Sequence, residues 1–110
     1  MEKLEMLVVV DPYPTVSAVM NDRTDGVYLL PATTQFETHG SLTSSNRSVQ
    51  WRFKVIDPLF ESLPDHTIMY KFAKKFGIEN ELCKHIEVIG EEPTIEDITR
   101  EYNRGMWTVG

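Results

Sequence analysis

The stretch that most restricts the fold is Leu4 to Val10, which ends in a continuous aliphatic and β-branched run and stops at Asp11 and the prolines of "DPYP". An apolar run of this kind reads as a strand buried on both faces, as in a parallel sheet. Pro12 and Pro14 lack the amide donor that a further ladder step needs, so the chain leaves the sheet there. Thr15 can cap a short helix through Val16, Ala18, Val19 and Met20. After the turn cluster "NDRTDG", Val27 to Ala32 reads as a second strand, stopped by Pro31. Strand, short helix, strand predicts a βαβ-like start at the edge of a sheet, with a crossover shorter than usual.

A polar passage follows, "QFETHGSLTSSNRSVQW", with Gly40 as its turn and "SVQWRF" as a possible β segment. It reads either as a hairpin with a hydroxyl-rich turn or as one wall of a site for a polar, phosphate-bearing ligand. The C-terminal half is helical. A helix from about His66 to Phe76 places Ile68, Met69, Phe72, Ala73 and Phe76 on one face, with Asp65 as its cap and Gly77 as its left-handed terminator. "TIED", Thr94 to Asp97, resembles a capping box opening a further helix with Ile95, Ile98 and Tyr102 on one side. Between them "ENELCKHIEVIG" suggests a helical turn and then an extended piece. The fold class is therefore α/β: a parallel-sheet fragment, a polar loop or hairpin, and two or three helices.

Composition narrows the function. The net charge of -6 leaves no basic face for a nucleic-acid backbone, and no run approaches the ~20 apolar residues of a membrane span. One cysteine, Cys83, excludes an internal disulfide and any cluster held by several thiolates of this chain. His39, His66, His85 and Cys83 show no metal-ligand spacing, and neither GxGxxG nor GxxxxGK occurs.

What remains is positional. Ligands of open parallel sheets sit beyond the carboxyl ends of the strands, where Asp11, Thr15 and the loop after Pro31 belong. Asp65 reads either as a helix cap or as a ligand carboxylate projecting into the same crevice. Glu37 and Arg47 read as a solvated acid and a surface charge, or as parts of the site.

Three stretches together resemble the molybdopterin oxidoreductase family, the bis-pterin molybdenum or tungsten enzymes, and most closely the catalytic α subunit of formate dehydrogenases. They are "VVVDPYPTVSA", "VYLLPATTQFETHGSLTSSNRSVQW" and "DPLFESLPDHTIMYKFAKKFG", spanning about Leu4 to Gly77. In that family a strand ends in Asp, a Thr-containing turn follows, a second strand ends in Leu-Pro, and an "E..G...N..R..Q" passage leads to a capped helix. Two departures stand out: "TDG" replaces the usual Ala-Asp before the second strand, and Thr38 stands where many relatives carry lysine.

The resemblance implies a fragment. Residues 1–77 would form part of a molybdopterin guanine dinucleotide-binding α/β domain, and residues 78–110 a helical extension towards the parent's next domain. It implies Val10, Asp11, Thr38 and Asp65 as contacts to one guanosine end of the cofactor, with Glu37, Asn46 and Arg47 ordering the loop. The parent would oxidise formate to carbon dioxide, carry molybdenum or tungsten and an iron-sulfur cluster, and join an electron-transfer subunit in a prokaryotic cytoplasm or periplasm. The isolated chain, without the family's cluster cysteines and metal ligand, is expected to bind no cofactor and to be inactive. A reading of another class is a stand-alone acidic α/β interaction domain that docks a partner through the helical face around Phe72 and Phe76.

Overall fold

The structure, a computed structural model, describes residues 3–19 and 22–105. Strand β1, Leu7–Asp11, and strand β2, Val27–Pro31, pair in parallel with Leu7 opposite Val27 and Asp11 opposite Pro31. The single-turn helix α1, Val16–Val19, lies between them in sequence; Met20 is outside the described residues. The crossover turns at Gly26, whose φ of 62° lies in the left-handed region and whose carbonyl accepts the Leu7 amide at 2.8 Å.

The sheet continues for one more step. Ala32 forms a parallel bridge to Leu63, the Leu63 amide donates to the Pro31 carbonyl at 3.1 Å, and the Thr33 amide to the Leu63 carbonyl at 3.0 Å. On the other side the Ala32 amide donates to the Asp11 carbonyl at 3.3 Å. The ends of β1 and β2 and Leu63 thus lie side by side, and the chain after Leu63 turns directly into α2, Asp65–Phe76.

The polar passage forms an antiparallel hairpin of β3, Gly40–Thr43, and β4, Val49–Arg52; Gly40 is not its turn, as expected from sequence, but opens β3 opposite Arg52, and the turn is closed by the Ser44 amide donating to the Ser48 carbonyl at 2.9 Å. Helix α2 ends at Gly77, φ 72°, where the Ile78 amide reaches back to the Ala73 carbonyl at 3.0 Å. The short helix α3, Glu79–Leu82, and the two-residue strands β5, Val88–Ile89, and β6, Glu92–Pro93, turn the chain back before α4, Ile95–Arg104. β6 and α3 pack on α2, and α4 packs on β3. The mixed α/β class matches the expectation from sequence.

Three further local expectations are corrected. The first strand begins at Leu7 rather than Leu4 and is half-buried along its length, because two strands and a single-turn helix cannot cover both of its faces. Asp65 does not cap α2: Pro64 occupies the cap position with φ -58° and ψ 144°, and Asp65 is the first helical residue with no capping bond. The capping box at Thr94 does not form either. The Thr94 amide donates instead to the Glu87 carbonyl at 2.8 Å, and Asp97 accepts the Glu87 amide at 3.0 Å, so the pair clamps Glu87 rather than the helix start.

The core is small. Among the described residues the buried apolar side chains are Ala18, Ala32, Ile68 and Ala73, joined by Thr33, Thr67 and Glu37. Phe53, Phe60 and Phe76 stand largely in solvent. The radius of gyration is 16.1 Å, against about 13 Å for a compact chain of this length. The exposed area is 8679 Å², against about 6,200 Å² for a folded monomer of this mass. This α/β arrangement presents apolar surface that a closed domain would bury.

Candidate functional site

The ends of β1 and β2 together with Leu63 define a carboxyl edge of the parallel segment, and Asp65 opens α2 two residues after Leu63. Beyond the edge lies an open cleft in two lobes that share Thr38, His39, His66 and Ile95. One lobe, about 350 Å³, is lined by Thr38, Ser41, Arg52, Asp65 and Thr99. The other, about 510 Å³, is lined by Glu37, Lys54, Thr67, Glu92, Thr94 and Glu96.

Its walls are held by specific bonds. Glu37, almost wholly buried, accepts the Thr34 amide on Oε2 at 2.7 Å and the Leu59 amide on Oε1 at 2.8 Å. Bonds from the Thr34 amide and hydroxyl, then from the Leu59 amide, hold its carboxyl below the ordinary value of 4.5, against the opposing effect of burial. Burying a carboxylate is tolerable here because both oxygens are satisfied by backbone donors. The Phe36 carbonyl accepts the Val55 and Ile56 amides at 2.8 and 3.1 Å, so residues 34–37 anchor the following loop twice. The Arg52 guanidinium bonds the Gln35 side-chain oxygen. The Ser41 and Thr99 hydroxyls meet at 3.3 Å and tie the hairpin to α4.

Two histidines line both lobes of the cleft. His39 Nε2 stands 3.8 Å from Glu96 and the ring lies 6.0 Å from that of Trp51. His66 Nε2 stands 3.8 Å from Glu92. Burial pushes the His66 imidazole below its ordinary value of 6.5 and nearby His39 adds to this, while the Glu92 and Asp65 carboxylates act in the opposite sense. No group of His, Cys, Asp or Glu among the described residues is arranged to hold a metal ion.

Of the residues singled out from sequence, Thr38 and Asp65 line one lobe of the cleft. Asp11 opens instead on a smaller hollow of about 170 Å³ with Pro12, Tyr13 and Pro31. Val10 lies inside β1 opposite Leu30. Thr38 Oγ1 donates to the His39 carbonyl at 3.3 Å. Asn46 and Arg47 sit at the tip of the hairpin. Asn46 Oδ1 accepts the Ser48 hydroxyl at 2.7 Å and the Ser48 amide at 3.2 Å, while Arg47 takes a left-handed backbone, φ 67°, and its amide donates to the Ser44 carbonyl at 3.0 Å.

Sequence reasoning did not place His39, His66, Thr67, Thr94 or Thr99 in this cleft, having weighed the two histidines only as metal ligands and Thr94 only as a helix cap. The residues after Gly77 fold back onto the hairpin, and no local pattern announces that return. His66 and Thr67 could have been found, because they occupy the first turn of the helix that carries Asp65. The Oγ1 of Thr67 is buried in this wall without a hydrogen-bond partner.

No protein-family model matches the chain. It is 33% identical over 117 aligned positions, 98% of its length, to a Bacillus subtilis protein named "Probable oxidoreductase YjgC". It is 32% identical over 78 positions, 71% of its length, to Staphylococcus aureus proteins named "Putative formate dehydrogenase". The chain spans 11% of the length of the first and 7% of the others. These similarities support an oxidoreductase, formate dehydrogenase-like family. No helix among the described residues is long and apolar enough to cross a membrane.

Proposed function

We propose that this sequence is one segment of a formate dehydrogenase-like catalytic subunit, where it forms part of a parallel-sheet domain that binds one guanosine end of a molybdopterin guanine dinucleotide. The observation that carries the reading is that Asp65 and Thr38 line one lobe of the cleft at the end of the parallel segment, while Asp11 ends the neighbouring strand and opens on a hollow of its own. Similarity to proteins bearing oxidoreductase and formate dehydrogenase names supports it independently.

The residues fit such a group. Asp65 makes no capping bond, which leaves two carboxylate oxygens to accept the paired N–H groups of a guanine. The first turn of α2 has amides without intrahelical partners, a favourable setting for an anion, and the orphaned Thr67 hydroxyl lies in the same turn. Asp11 would accept from a ribose or guanine donor at the first strand end, and Thr38 would donate or accept where relatives use lysine. Glu37, Asn46 and Arg47 would keep the intervening loop in shape. When bound, the molybdenum or tungsten group would supply the two-electron oxidation of formate to carbon dioxide and a proton, and Asp11, Thr38 and Asp65 would hold only its guanosine end. This segment's part is binding and orientation.

A second reading, a stand-alone interaction domain, draws on the exposed Phe76 stacked on Phe72 at 6.5 Å. One preparation separates the two. A longer polypeptide carrying this segment, purified anaerobically, should contain molybdenum or tungsten, release a guanine nucleotide on denaturation and reduce a viologen dye with formate. The 110-residue chain alone should do none of these. A longer polypeptide lacking both guanine nucleotide and formate oxidation would overturn the proposal.

A further inference from the structure

The turn around Phe60 holds an aromatic ring where solvent reaches all of it: Phe60 is 100% exposed and has φ 55°, a left-handed conformation that a bulky side chain rarely adopts. The turn is fixed on both sides. The Leu59 amide donates to Glu37, the Ser62 amide and hydroxyl donate to the Leu59 carbonyl at 3.1 and 2.6 Å, and Leu63 is bonded to the sheet. Strained residues persist where the surroundings over-determine them, and they concentrate at ligand clamps and functional contacts.

Beside this knob lies an apolar hollow of about 360 Å³, walled by Leu63, Ile68 and Phe72 and completed by the exposed Glu61, Lys71 and Lys75. We propose that Phe60 anchors an isologous contact with a second copy of this chain, entering the partner's Leu63–Ile68–Phe72 hollow while the partner's Phe60 enters this one. Knob and hollow border each other at Glu61, so a single two-fold axis satisfies both at once. The charges agree. Glu61, adjacent to the knob, is brought against Lys71 and Lys75 of the other copy, and Lys75 has no ion pair among the described residues. An aromatic anchor in an apolar pocket with a charged rim is the usual anatomy of such contacts. The inference does not depend on the formate dehydrogenase reading.

Sedimentation of the 110-residue chain over a hundredfold concentration range tests it. The wild type should show a monomer–dimer equilibrium, and Phe60→Gly should weaken association at least tenfold. Glycine accepts the left-handed backbone, so that variant should melt no lower than the wild type, which separates lost contact from lost fold. Glu61→Lys and Lys75→Glu should each weaken the homodimer, and mixing these two variants should restore a heterodimer of wild-type affinity. A wild type that is monomeric throughout, or that grows into open-ended oligomers, overturns the proposal. So does a Phe60→Gly chain that associates as tightly as the wild type, or a charge-swapped mixture that does not pair.

Discussion

The Oε1 atom of Glu37 accepts the amide of Leu59 at 2.8 Å, joining parts of the chain twenty-two residues apart. Its other oxygen takes the Thr34 amide at 2.7 Å, so one buried carboxylate fixes both the loop after β2 and the loop before α2. The cleft wall carrying Thr38 and the turn presenting Phe60 both depend on that side chain.

Glu37→Gln should therefore destabilise the chain, since the amide nitrogen would meet a backbone donor where an oxygen now accepts. The sign of the pH effect follows from the depressed carboxyl value. The stabilisation is full above about pH 4.5 and is lost as pH falls through the lower folded value. Thermal melting should show the variant several degrees below wild type at neutral pH, with the gap closing as pH falls below the ordinary carboxyl value of 4.5 and through the lower folded one. The exposed control Glu81→Gln should show no gap. A pH-independent difference would place the effect elsewhere.

Gly26→Ala should cost ~1–3 kcal/mol for the left-handed backbone, before any clash is counted. A Cβ there would sit 2.8 Å from the Glu5 carbonyl oxygen, so the start of β1 would have to shift. Because the Gly26 carbonyl accepts the Leu7 amide, the loss should appear as faster hydrogen exchange at Leu7 and along β1. Unchanged protection of β1 would contradict the role given to this turn.

His66 sets a second pH dependence, of neutral rather than acid range. Its folded value is depressed, chiefly by burial, so the unfolded chain binds the proton more readily. Stability is full above the unfolded value of about 6.5 and falls as pH drops through the folded one. The groups facing it are His39 from the loop, Asp65 from its own helix and Glu92 from β6. Urea midpoints measured between about pH 7.5 and pH 5 should fall for wild type and stay flatter for His66→Gln. Equal slopes would remove His66 from this role.

The elements with strong local signals were legible in the sequence. The "VVVD" run with its prolines marked β1 to within three residues and Gly77 marked the end of α2, whereas the hairpin was foreseen with its turn at Gly40 and instead turns between Ser44 and Ser48. Asp65 was misread in its local role because a proline before an aspartate can leave the cap position to the proline, and composition does not choose between them. Burial of β1 was over-read because an apolar run reports what a strand can bury, while the number of covering elements decides what it does bury. The cleft's second wall was illegible: Thr94 and Thr99 reach it through the return of β5, β6 and α4, a long-range packing that leaves no periodic trace.

Asp65 offers the sharpest discrimination between a structural and a cofactor-binding role. As the first residue of α2 it gains from the helix dipole alone, so Asp65→Asn in the isolated chain should change stability by no more than ~0.3–1 kcal/mol. Facing a guanine, the same change sets a donor against a donor, a mismatch of about 1–3 kcal/mol, or roughly five- to a hundredfold in affinity. The decisive measurement is guanine nucleotide released on denaturation from the longer catalytic polypeptide, wild type against Asp65→Asn, purified side by side. A cofactor-binding Asp65 gives a clear fall in nucleotide per polypeptide while the isolated chain melts almost unchanged; equal nucleotide content in the two would contradict that role.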